Sequence, residues 1–270
     1  MTAVQTELAV VQPRTERRAA ASPVPLTRVV QVELRKMFDT RSGFWLMASI
    51  GIAALLATTA VILFAPDSEL TYDNFGAAIG APMAVILPMV AILSVTSEWS
   101  QRSGLTTFTL VPHRGRVIGA KAIASVLVAV VSMLFAFGIG AVGNVVGTAI
   151  TGTPVVWNVS FAQALCIVLG NVLGLLTGFM LGVLIRNSAG AIVGYFVYSL
   201  VLPPLFAVLA ASQQWFDDLR PWVDVSYAQG FLFTGSPTGE QWTQIGVTGL
   251  CWLIIPLVVG LRLVMRSEVK

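Results

Sequence analysis

The chain has 270 residues, of which 56% are hydrophobic and 11% charged, with two cysteines and a formal net charge of +3. A mean hydropathy of +0.83 excludes a disordered chain and a water-soluble globule, and two cysteines exclude a disulfide framework.

Residues 1–25, including TERRAAASPVP, are expected to form a disordered tail. Mostly polar positions precede the first long apolar run, so no cleavable signal peptide is expected and the N-terminus is retained. From 26 to 42 the pattern becomes that of an amphipathic helix. At about 100° per residue Leu26, Val29, Val30, Leu34, Met37 and Phe38 gather on one side. Arg28, Gln31, Arg35, Lys36 and Asp39 take the other, while Val32 and Glu33 break the pattern. Such a helix is expected in the headgroup plane, with Arg35, Lys36 and Arg41 on lipid phosphates. Glu33, at the edge of the apolar stripe, is expected to seek a basic partner in a structural ion pair.

Six stretches then follow at 43–65, 76–97, 122–150, 160–185, 189–211 and 243–261 that contain no Asp, Glu, Lys, Arg or His. Each reaches or closely approaches the roughly 20 residues that cross a 30 Å hydrocarbon core as a helix. An all-α, six-span polytopic membrane protein is the fold class predicted. The polar segments 1–42, 98–121, 186–188 and 262–270 hold 15 of the 16 Lys and Arg, a net charge of +9. The intervening segments hold Arg220 and seven acidic residues, a net −6. Cations are held back on the cytoplasmic side during insertion, so both termini are expected there and the chain is expected in the inner (plasma) membrane. The basic balance then reports topology and contact with the lipid bilayer, and no nucleic acid is implied.

The segment 98–121, EWSQRSGLTTFTLVPHRGRVIGAK, is long beside the connection at 186–188 and is expected to fold. Glu98 opens a short helix in this reading, Pro112 breaks the chain, and Arg114, Arg116 and Lys121 lead into the third span. Topology alone would not need Leu105, Phe108, Leu110 and Val111, which suggest a partner surface.

Within the spans Gly170, Gly174, Gly178 and Gly182 form one line at four-residue spacing, a pattern that lets helices approach closely. Asn144 and Asn171 are the polar exceptions, either bonding between helices or lining a pathway. Pro82, Pro88, Pro203, Pro204 and Pro256 are expected to kink their helices. The segment 212–242 carries Trp215, Phe216, Trp222 and Phe231 among its aromatic residues, which form either an interfacial belt or an external gate.

Enzyme chemistry finds no support in this pattern. The single histidine, His113, stands outside the spans, no span holds an aspartate, and no metal-ligand spacing exists for Cys166 and Cys251. Ion-coupled transport needs titratable groups in the membrane, each costing roughly 2.5 to 3.5 kcal/mol at a helix centre, and the spans have none. No G-x-x-x-x-G-K-[ST] phosphate loop occurs either. A transporter without titratable groups in its spans is either passive or driven from outside the bilayer, and an ATPase on a separate polypeptide is expected.

The segments VELRKMFDTRSGFW and EWSQRSGLTTFTLVPHRGRVIGAK, with the span count and order, resemble the membrane subunits of ABC transporters of the ABC type 2 permease family. Glu98, Gly104, Pro112, Arg116 and Lys121 match residues that recur in that family's loop, whose Gly-Thr pair stands here as Gly104-Leu105-Thr106. The resemblance implies a permease subunit that pairs with itself or a paralogue and exports an amphiphilic or hydrophobic substrate such as a drug or lipid. Segment 98–121 would be the coupling helix docked on a cytoplasmic ABC ATPase, with Glu98, Arg102, Gly104, Phe108, Pro112, Arg114, Arg116 and Lys121 carrying the contact. The helix from Leu26 would be the connecting helix, and 212–242 short re-entrant helices closing the exit. The rival readings are a six-span substrate-binding component of a vitamin-type importer and a structural membrane subunit.

Overall fold

The computed structural model describes residues 24–100 and 114–266, and within them the side chains of all but Ser42, Ser100 and Arg114. Most of the N-terminal tail and residues 101–113 of the loop, with Arg102, Gly104, Phe108 and Pro112, lie outside the described residues.

Helix α1 (Leu26–Asp39) starts behind Pro25, whose missing N–H costs nothing at a helix start, and ends at the extended Thr40. Thr40 is also the cap of α2 (Arg41–Phe64), its Oγ1 accepting from the Gly43 amide at 3.0 Å. The corner is tight: a side chain at Gly43 would collide with the Met37 carbonyl oxygen. Val29, Glu33 and Met37 form the buried line of α1, while Leu26 and Phe38 are exposed. Glu33, which interrupts the apolar stripe in the sequence, sits at the middle of the buried face.

Among the described residues, six helices are long and apolar enough to cross a membrane. They are α2, α3 (Tyr72–Ser100), α4 (Arg114–Thr151), α5 (Phe161–Ile185), α6 (Ser188–Ser212) and, after two short helices α7 (Gln214–Val223) and α8 (Val225–Gly230), α9 (Gly239–Arg266). The chain is a multi-pass membrane protein. Helices α3, α4 and α9 start earlier than the apolar stretches that announced them, because polar and charged residues such as Asp73, Arg116 and Glu240 continue the helix. With 38 residues, α4 is about 57 Å long at 1.5 Å per residue, well beyond a hydrocarbon core.

Helix α3 is the core. Phe75, Ile79, Met83, Leu87, Ala91 and Val95, spaced by four, are each almost fully buried. A four-residue step overshoots one turn by about 40°, so this line winds round the helix and meets successive neighbours. Phe75 faces Gly143 and Gly147 of α4, and Val95 faces Gly182 of α5. Pro82 and Pro88 lie inside α3 without ending it. At the other prolines the helices widen: π-helical turns occupy Val197–Val201 in α6 and Leu250–Ile254 in α9. Pro203 and Pro256 each stand two residues beyond such a turn, which gives the carbonyl four residues before the ring room to move aside.

The two ends of the bundle differ in charge, so we call them basic and acidic. At the acidic end Tyr72 N donates to Val156 O at 3.1 Å, joining the start of α3 to the α4–α5 connection. There Asp224 caps α8 through the Tyr227 amide at 3.1 Å and pairs with Arg220 at 3.1 Å. The Arg220 guanidinium also lies 4.5 Å from the Tyr227 ring centroid, so the one cation of the acidic end is held on two sides.

Candidate functional site

Four ionisable side chains from three separate segments meet at the basic end. Glu33 and Lys36, three residues apart, come from α1, Glu98 from the last turn of α3 and Lys121 from the second turn of α4. They close a ring of alternating sign. Lys36 Nζ donates to Glu33 Oε1 at 2.8 Å and to Glu98 Oε1 at 3.3 Å. Lys121 Nζ donates to Glu33 Oε2 and lies 3.2 Å from Glu98 Oε1. Lys121 Nζ also donates to the Ser94 carbonyl at 3.0 Å.

Burial makes this ring consequential. The side chains of Glu33, Glu98 and Lys121 are 3%, 5% and 4% exposed, against 45% for Lys36. Isolated charges buried to this degree would each cost several kcal/mol, whereas two anions alternating with two cations cancel in sum and satisfy one another. Half-burial works against the charge of Lys36, but hydrogen bonds and attraction from Glu33 and Glu98 prevail and hold its pKa above the ordinary 10.5. The ring therefore pins α1 to the two helices that flank residues 101–113.

A hydroxyl layer lies next to it. Ser94 and Ser125 Oγ atoms are 3.3 Å apart between α3 and α4, and Thr96 and Ser188 are linked at 2.8 Å between α3 and α6. Of the other expected residues at this end, Arg114 opens α4 and Arg116 is half-buried one turn before the ring. Arg35 pairs with Asp39 at 3.2 Å on the exposed face, and Arg41 is exposed.

The glycine line divides. A methyl group on Gly178 would meet the Pro88 carbonyl oxygen at 2.7 Å, and one on Gly182 would meet Val95 at 3.3 Å, so α5 and α3 touch backbone to backbone there. Gly170 faces the ring of Phe233, while Gly174 faces open space. The two amides also part company. Asn171 Nδ2 bonds Ile167 O of its own helix at 2.9 Å, and Asn144 Nδ2 reaches Val156 O in the connection at 3.0 Å. Among the described residues neither bonds to a neighbouring span. Asn144 Oδ1 is buried without a partner in this set.

The aromatic residues of the acidic end form two groups. Phe216 is buried against Phe206 at 5.8 Å, and Phe206 leads to Trp252 at 6.4 Å and on to Tyr198 at 5.9 Å. Trp252 Nε1 donates to Val223 O at 2.8 Å, tying α9 to α7. Phe231 packs on Tyr227 at 5.3 Å over Leu232 and Ile245, while Trp222 is half-buried and Trp215 exposed. Tyr198 and Trp252 escaped the sequence reading. The two π-helical turns hold this pair, and the proline two residues beyond each turn was the available signal.

Compared with known proteins, the chain matches no family model and no curated sequence.

Proposed function

We propose that this chain is the membrane subunit of an ATP-driven exporter of the ABC type 2 permease kind, with its basic end in the cytoplasm. Helix α1 then lies in the headgroup plane as the connecting helix, both termini are cytoplasmic, and 98–121 receives a separate ATPase subunit that binds ATP and magnesium. The observation that carries this reading is the closed ring of Glu33, Lys36, Glu98 and Lys121. A push on the loop between α3 and α4 acts on both helix ends, and the ring passes it to α1 in the same movement. Ionisable side chains cluster at the helix ends, and the middle of each span offers no group to carry a driving ion.

The spans left most open by the rest of the chain are α6 and α2, with 6% and 17% of their most apolar windows buried. A second copy or a paralogue pairing through these helices would enclose an apolar pathway suited to an amphiphilic or hydrophobic substrate. Movement of the pinned unit would shift the pair between inward-open and outward-open populations.

The test is co-expression with an ATPase subunit bearing a Walker phosphate loop, followed by reconstitution in vesicles. Transported amphiphile and stimulated ATP hydrolysis are expected together. Arg116→Glu is expected to lower that stimulation at least tenfold while the chain still inserts and keeps its thermal stability. Full stimulation in Arg116→Glu would remove the loop from the coupling path. Glu98→Ala is the less clean probe, since it also opens the buried ring.

A further inference from the structure

We infer that the groove between α1, α2 and α4 holds one acyl chain of an anionic phospholipid from the surrounding bilayer, with its phosphate on Arg41. This rests on the six spans lying in a membrane, and is independent of the ATPase reading. The groove has a volume of about 640 Å³, bounded by Leu34 and Phe38 of α1, Gly51 of α2, and Val131 and Phe135 of α4. That is within the roughly 300–1,000 Å³ of ligand pockets. Along α4 its wall runs from Leu127 to Phe135, about 12 Å at 1.5 Å per residue, which suits a chain lying along a helix. Ser132 supplies the one hydroxyl of the wall, so a polar ligand would forfeit its hydration for almost no return.

Charge decides between a lipid and a second copy of this chain. Arg41 opens α2 between Phe38 and Met47, both of which line the groove, and it makes no ion pair among the described residues. Arg28, on the same α1, makes none either. A second copy seated here would bring its own α1 cations against these, whereas a phosphate headgroup complements them. The alanine and glycine at 48 and 51 leave the space, and a methyl on Gly51 would only touch Phe135 at 3.5 Å.

The full chain would be reconstituted in vesicles of equal phosphatidylglycerol and phosphatidylcholine, extracted in mild detergent and read by native mass spectrometry. One phosphatidylglycerol retained per chain, preferred at least tenfold over phosphatidylcholine, is expected. Ala48→Phe with Gly51→Leu, which fills the groove, should cut retention at least fivefold. Arg41→Gln should bring the two lipids near parity, and it keeps the test decisive if the filled variant does not fold. Val208→Phe on the exposed face of α6 should change nothing. Equal retention of both lipids by the wild-type chain, an undiminished phosphatidylglycerol preference in Arg41→Gln, or undiminished retention in a folded groove-filled variant would overturn the assignment. So would equal loss in Val208→Phe.

Discussion

Lys121 makes contact with two carboxylates and a backbone carbonyl while nearly sealed from solvent. Its replacement by methionine leaves Glu33 and Glu98 facing one another with only Lys36 between them. Removing one partner of a buried pair costs about 3–5 kcal/mol, so Lys121→Met should lower the unfolding midpoint in detergent markedly. Lys121→Met combined with Glu33→Gln restores the charge balance and should recover much of the loss. Equal midpoints for the single and double variants would show that the ring is not a charge-balanced unit. Lys36 adds a pH signature. Because folding raises its pKa above 10.5, its contribution is complete below 10.5 and is lost as pH rises through the folded value. The stability difference between the wild type and Lys36→Gln should therefore be constant at neutral pH and shrink only in the alkaline range, as thermal melts across pH 7 to 12 would reveal.

Between elements, the contact of α3 with α5 depends on which glycine is chosen. Gly178→Leu drives a side chain into the Pro88 backbone and should destabilise by about 1–3 kcal/mol, since overpacked cores separate or strain. Gly174→Ala, four residues away, meets open space and should be neutral or slightly stabilising through its better helix propensity. A chain that responded alike to both would contradict this packing. The sequence pattern could not separate them, because four-residue spacing puts both on one stripe and says nothing of how far the partner helix follows it. Charge-free stretches did reveal all six spanning helices, since the hydrocarbon requirement is written in composition. They located helix ends less well, because a helix continues through polar residues once it leaves the apolar layer. Glu33 was legible as an acid in need of a cation. Its partner Lys121 is 88 residues away in sequence, a separation that only the α1, α3 and α4 packing can close. The Tyr198 and Trp252 contact was hidden for a similar reason, being made by two widened turns on different helices.

For the whole molecule, the segregated charges give an orientation that labelling can test. With Cys166 and Cys251 replaced, Ser236→Cys at the acidic end should react with a membrane-impermeant maleimide on intact cells. Gly115→Cys at the basic end should react only after permeabilisation. Reversal of the two would turn the bundle over and remove the coupling proposal with it. Inside the bundle, α3 contacts α2, α4, α5 and α6, so none of these four can move far without involving it, while α9 packs on α5 and α4.

The position of the ring along α4 has a mechanical result. Lys121 stands seven residues from the start of the helix at Arg114 and thirty from its end at Thr151, arms of about 10 Å and 45 Å at 1.5 Å per residue. If α4 tilted as a stiff rod about that point, an ångström of travel at Arg114 would become about four at Thr151, near the junction of Val156 and Tyr72. The leverage is set by where one lysine falls in one helix. Moving the charge a turn toward Thr151 would shorten the stroke before it altered a single contact at the far end.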